Sequence, residues 1–199
     1  MCRKEAREYK GEKMQIILIR HGKPDYTPVD TRGFIGHGRS LAPLTPEGIA
    51  QAEEAAQNAL LEGAQLIVSS PLTRALQTAA VISRVTGVCL TVEVDLREWE
   101  PDKTWQFKTS EESFALHRDF WACKGEYPDG KPRRWETVSE VVARVDPVVH
   151  TYWAKGYEKI ALVTHGGVIR RFTGDSVVAY CLPYAVEYNG SYPYFGWVD

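Results

Sequence analysis

Ile16-Ile-Leu-Ile-Arg-His-Gly-Lys23 is an apolar run that closes on a charged residue, a histidine and a glycine. Ile160-Ala-Leu-Val-Thr-His-Gly-Gly167 writes nearly the same phrase near the other end of the chain. Both runs are short and β-prone, and similar runs stand at Met14 to Ile19, Leu66 to Ser69, Val88 to Val94 and Lys159 to Val163, separated by longer amphipathic segments. This alternation predicts an α/β fold of βαβ units around a mostly parallel sheet. In such a sheet ligands bind beyond the carboxyl ends of the strands, and both His-Gly pairs fall at such ends.

Working outward, Thr45 with Pro46 reads as the start of a helix reaching Leu61, with a stop at Gly63. A second helix runs from Pro71 to Thr86 and ends at Gly87, while Thr137-Val-Ser-Glu140 has the spacing of a capping box. Pro147 is expected to kink or interrupt that last helix. Asn189-Gly190, between two aromatic stretches, predicts a terminal β-hairpin closing the sheet edge. Residues 99–135 read as an irregular insertion, or lid, over one end of the sheet. It carries four of the six tryptophans, with Trp121 assigned to core packing and the basic residues to solvent.

A chain of 199 residues fits one α/β domain with a real core. Lysine and arginine number 24 against 26 aspartates and glutamates, for a net charge of −2, so nothing global points to a nucleic acid or an anionic membrane. The four cysteines form no C-x-x-C pair and fit a reducing compartment better than a disulfide framework. Residues 1–13 lack the apolar core of a signal peptide and are read as a mobile extension or a product of start-site choice. Residues 14–199 form the domain, and no run is apolar enough to span a bilayer. The expectation is a cytoplasmic protein.

If the two phrases lie on neighbouring strands, His21 and His165 meet across one crevice. A lone histidine at a strand end is commonly structural; a pair in the same phrase suggests a site. Arg20, beside His21, and Arg74, just beyond another strand end, bring two guanidinium forks suited to phosphate oxygens. A metal centre is the competing use of paired histidines, with Asp25, His37, Glu98 or Asp175 as further ligands. Two adjacent arginines and the lack of HExxH, HxH or clustered carboxylates argue against it, so no metal is expected. A serine triad finds no G-x-S-x-G elbow and no evident base for Ser69 or Ser70.

With these residues in view, the chain resembles the histidine phosphatase superfamily, also called phosphoglycerate mutase-like. Arg20-His21-Gly22 is followed in family order by LTPEGIAQA (44–52), SSPLTRALQTA (69–79), DLRE (95–98) and VTHGG (163–167). The resemblance implies a three-layer αβα sandwich and a metal-free, cofactor-free reaction. His21 would be the nucleophile that becomes a phosphohistidine, with Arg20, Arg74 and His165 on the phosphoryl oxygens and Glu98 as proton donor. Glu100 is the nearest rival to Glu98. A neutral His21 and a protonated Glu98 imply a mildly acidic to neutral optimum. The implied partners are a small phosphate ester and, as product, inorganic phosphate.

The sequence departs from cofactor-dependent mutases after Gly22, where Lys23-Pro-Asp-Tyr replaces an E-S-x-W-N-like run. Hydrolysis is therefore favoured over mutase-type transfer, and a non-catalytic phospho-ligand binder is a third reading. Lys23, Arg32, His37 and Glu136 are assigned to the substrate rim, whereas His117 and His150 are given structural or surface roles. Sugar phosphates, ribazole phosphate, phosphoglycerate and phosphoproteins all remain open as substrates.

Overall fold

The computed structural model describes residues 13–106, 108–128 and 130–199. The expected N-terminal extension, but for Lys13, lies outside the described residues. Five strands, β1 (Met14–Arg20), β2 (Leu66–Ser69), β3 (Leu90–Val92), β4 (Lys159–Thr164) and β5 (Pro183–Tyr188), form one sheet in the order β3-β2-β4-β1-β5. All neighbours are parallel except β5, which runs antiparallel to β1 along one edge. The helices are α1 (Thr27–Asp30), α2 (Pro46–Ala55), α3 (Thr73–Thr86), α4 (Ser110–Ala122), α5 (Val138–Ala154) and α6 (Gly166–Thr173).

Strand alternation builds the three layers. Met14, Ile16 and Leu18 of β1 face Val145, Val149 and Tyr152 of α5 and Ile169 and Phe172 of α6. Ile17 and Ile19, one residue out of phase, face Ala75, Ala79 and Ile82 of α3. Central strands buried on both faces need apolar residues at nearly every position, which β1 and β4 supply. Among the described residues, no helix is long and apolar enough to cross a membrane.

Several expectations need correction. The helix from Thr45 stops at Ala55, because Asn58 accepts the Leu60 N–H at 2.9 Å and starts a separate 3-10 turn. Pro147 does not interrupt α5; Val145, Val148 and Val149 are all buried and hold both halves of the helix against the sheet. Asn189-Gly190 makes no hairpin. Its first arm is β5, whose partner is β1, while residues 191–199 form no strand and instead lay aromatic rings on α6. The insertion contains α4, capped by Thr109, and Trp121 on it is half exposed against the edge of Trp197 rather than in the core. Cys123 and Cys181 are thiols, but Cys89 is disulfide-bonded, which departs from the expected set of thiols.

Candidate active site

The register of β1 and β4 accounts for the repeated phrase. Ile19 pairs with Val163 and Arg20 with Thr164, and the His21 N–H continues the ladder to Thr164 O at 3.0 Å. The next residues on the two strands are His21 and His165, whose ring centroids lie 5.1 Å apart. Both are buried at the carboxyl edge of the sheet. On the other side of β4, Ser70 leaves β2 and its hydroxyl lies 2.8 Å from His165 Nε2. Ser70 therefore does meet a histidine, one that the sequence offered no means of pairing with it; fully buried, it orients the ring.

Arg74 stands in the first turn of α3, and its Nε–H donates to His21 Nε2 at 3.1 Å. A guanidinium only donates, so Nε2 is the acceptor and Nδ1 carries the hydrogen given to Gly22 O at 2.8 Å. The ring is thus neutral, with its Nε2 lone pair pointing at Arg74. Burial, reinforced by the Arg74 charge and more weakly by Arg20, pulls the His21 pKa down to about 3, against the smaller opposing effect of the Gly22 bond. Burial likewise pushes His165 well below the ordinary histidine range, with Arg74 and His21 adding to it.

Among the described residues, two polar atoms in this cluster have no hydrogen-bond partner. Arg20 Nε and His165 Nδ1 are buried with no hydrogen bond, although Arg20 also donates to Val178 O at 2.7 Å and lies over the Tyr180 ring at 4.1 Å. Buried polar groups of native proteins are normally paired, so two unpaired ones beside a lone-pair nitrogen mark a place for an oxygen-rich ligand. The turn after β1 is tightly packed: a Cβ on Gly22 would lie 2.4 Å from Gly48 O, and one on Gly48 would lie 2.4 Å from Lys23 O. Glycine at both positions lets α2 press directly on the His21 loop.

Glu98 lies at the start of α6. Its Oε1 accepts the Trp99 N–H at 2.9 Å and the Gly167 N–H at 3.1 Å. A Cβ on Gly167 would stand 2.4 Å from that oxygen, so a side chain here would push the Glu98 carboxylate aside. Arg144 of α5 holds the turn bearing Glu98 by donating to Asp95 O and, at 3.2 Å, to Glu98 O. Glu136 in turn accepts from Arg144 Nε at 2.6 Å.

Glu98 and Arg74 both open into a cavity of about 1050 Å³, walled by residues 26–40, by Val94 to Pro101, and by α4 with the loop before it. His37 lines it, stacked on Trp105 at 3.5 Å. The other rim assignments fall elsewhere. Lys23 pairs with Glu47 on the surface, Arg32 folds back onto Pro28 O at 2.6 Å, and Glu136 is buried behind Glu98 as a support. Glu100 lines the cavity with a buried carboxyl whose pKa is raised, chiefly by burial. His117, assigned a structural or surface role, borders the cavity edge-on to Trp99. Arg144 and Tyr180 also escaped the sequence reading. Arg144 sits on α5 and bonds Glu136, which precedes that helix, whereas Tyr180 stands in a loop with no motif around it. Among the described residues, no three histidine, cysteine, aspartate or glutamate side chains gather into a metal-holding group.

Residues 16–177 match the sequence model of the histidine phosphatase superfamily (branch 1), and the chain belongs to that family. Among its relatives is the glucosyl-3-phosphoglycerate phosphatase of Mycolicibacterium vanbaalenii, 30% identical over 167 residues that cover 80% of this chain and 72% of the relative. The "Probable phosphoglycerate mutase GpmB" of Proteus mirabilis is 26% identical over 156 residues, covering 77% and 70%. A mycobacterial glucosyl-3-phosphoglycerate phosphatase solved with VO3 superposes with a TM-score of 0.59 at 30% identity, over 78% of this chain and 77% of that one.

Proposed function

We propose that the protein is a metal-independent phosphomonoesterase that passes through a phosphohistidine on His21. The observation that carries this reading is the neutral His21, with its Nε2 lone pair held by a donor that phosphate can take away. A phosphoryl oxygen draws the Arg74 N–H to itself and frees Nε2 to attack. The N–P bond forms as the P–O bond to the leaving group breaks, and the Glu98 carboxyl gives the leaving oxygen its proton. Arg20 Nε and His165 Nδ1 supply two further contacts to the equatorial oxygens, already aimed before charge develops. Water then attacks phosphorus, Glu98 takes back a proton, and inorganic phosphate leaves from a neutral histidine.

The phosphatases among the relatives support hydrolysis. The Proteus mirabilis relative supports a second reading, transfer of the same phosphoryl group to a substrate hydroxyl. The test is release of p-nitrophenol and phosphate from p-nitrophenyl phosphate at mildly acidic to neutral pH with EDTA present. Turnover that survives chelation and vanishes in His21→Ala supports the proposal. Turnover abolished by EDTA, or unchanged in the variant, contradicts it.

A further inference from the structure

Part of the exposed apolar surface gathers around one cavity. Among the described residues, Val94 (64% exposed), Trp105 (60%) and Phe114 (61%) belong with Phe34 and Ile35 to the large hydrophobics left open to solvent, and all five line the cavity beside Glu98 and Arg74. Exposed apolar side chains scattered singly need no explanation, but five around one cleft mark a ligand surface. At about 1050 Å³ the cavity sits at the upper end of the range for small-molecule sites, far larger than a phosphoryl group and a three-carbon acid require.

The charges in its wall are already committed. Arg39 pairs with Asp30 at 3.3 Å, and Arg97 pairs with Asp95 at 2.7 Å and Glu100 at 3.1 Å. Among the described residues, Arg74 is the one cavity-lining arginine with no carboxylate partner, and it belongs to the phosphoryl site. His37 and His117 are both shifted by burial toward their neutral forms. Glu98, Glu100 and Asp30 face the same space, so a second anionic group on the substrate would meet carboxylates and no uncommitted guanidinium.

We infer that the natural substrate is the phosphate monoester of an uncharged alcohol bearing a flat, largely apolar ring system, which lies between Trp105 and Phe114 with its ester oxygen at Glu98. The inference rests on the phosphomonoesterase reading and narrows it: phosphorylated carboxylic acids and bisphosphates are disfavoured. The only charged group of such a substrate, its phosphate, is delivered to Arg20, Arg74 and His165, and the remaining bulk is matched by aromatic surface.

The test compares three primary alkyl phosphates, so that leaving-group reactivity is matched: 2-(1-naphthyl)ethyl phosphate, glycerol 3-phosphate and 3-phosphoglycerate. Phosphate release is followed with the full chain, with His21→Ala as the blank. The parent is expected to favour the naphthyl ester over 3-phosphoglycerate by at least about tenfold in kcat/KM. Phe114→Ala or Trp105→Ala should each shrink that preference about three- to tenfold through KM. His21-dependent turnover with equal or greater preference for 3-phosphoglycerate, or a naphthyl preference untouched by both substitutions, overturns this inference and leaves the phosphatase reading intact. Absence of His21-dependent turnover with all three esters, and with p-nitrophenyl phosphate, overturns both.

Discussion

Replacing His21 by glutamine removes one titrating group whose folded and unfolded states bind protons differently, so the consequence for stability can be worked out. In the fold His21 stays neutral down to about pH 3, whereas an unfolded chain protonates it near 6.5. As pH falls below 6.5 the unfolded state takes up the proton first. Stability that is complete above that value is then lost at about 1.4 kcal/mol per pH unit, until the folded value is reached. Between pH 6.5 and pH 5 this amounts to about 2 kcal/mol from His21 alone. His165 contributes in the same direction, so the informative quantity is the difference between parent and variant. Urea denaturation of both proteins across this range should show the parent losing about 2 kcal/mol more than His21→Gln. Imidazole ¹⁵N shifts on the parent should report a protonated Nδ1 and an unprotonated Nε2 throughout. Parallel stability curves, or a His21 midpoint near 6.5, would refute the argument that burial and Arg74 keep the nucleophile neutral.

Other perturbations follow from the same geometry. Arg74→Ala removes the donor on Nε2 and a phosphoryl contact together, and kcat/KM for p-nitrophenyl phosphate should fall at least about a hundredfold. Arg74→Lys should recover little, because a point charge cannot reproduce the guanidinium fork; a loss under tenfold in either variant counts against the assignment. Glu98→Gln should slow alkyl phosphates far more than p-nitrophenyl phosphate, whose leaving group needs no proton. Gly167→Ala should show the same split by displacing the Glu98 carboxylate, and an equal effect on both ester classes would move the acid role to Glu100. Gly48→Ala should lower stability by about 1–3 kcal/mol, since its Cβ would meet the Lys23 carbonyl, and an unchanged melting temperature would be inconsistent with that packing.

How much of this was legible in the sequence depended on whether a residue's partner was near it in a repeating pattern. The runs at β1 and β4 are apolar at nearly every position, which marks strands buried on both faces, and the matching His-Gly phrases placed His21 and His165 together because parallel register is conserved along a ladder. The capping box of Thr137 and Glu140 is local chemistry and formed as its spacing predicts. The hairpin at Asn189-Gly190 did not form, although its turn chemistry is favourable. β5 instead pairs with the edge of β1, and the aromatics beyond it pack on Phe172 rather than on β5. Lys23 and Arg32 were placed at the rim by sign of charge and Glu136 by family resemblance, yet each has a nearer partner that only the tertiary structure reveals. Arg144, Tyr180 and the meeting of Ser70 with His165 depend on contacts across distant segments, which no local pattern encodes.

The most direct test of the central claim is to mix the protein with a ³²P-labelled phosphate ester in EDTA, quench in alkali within the first turnovers, and map the labelled peptide by mass spectrometry. One phosphoryl group is expected on Nε2 of His21, stable to base and labile to acid, and absent from His21→Ala. Sustained turnover with no label on His21, or label retained in the variant, would contradict it.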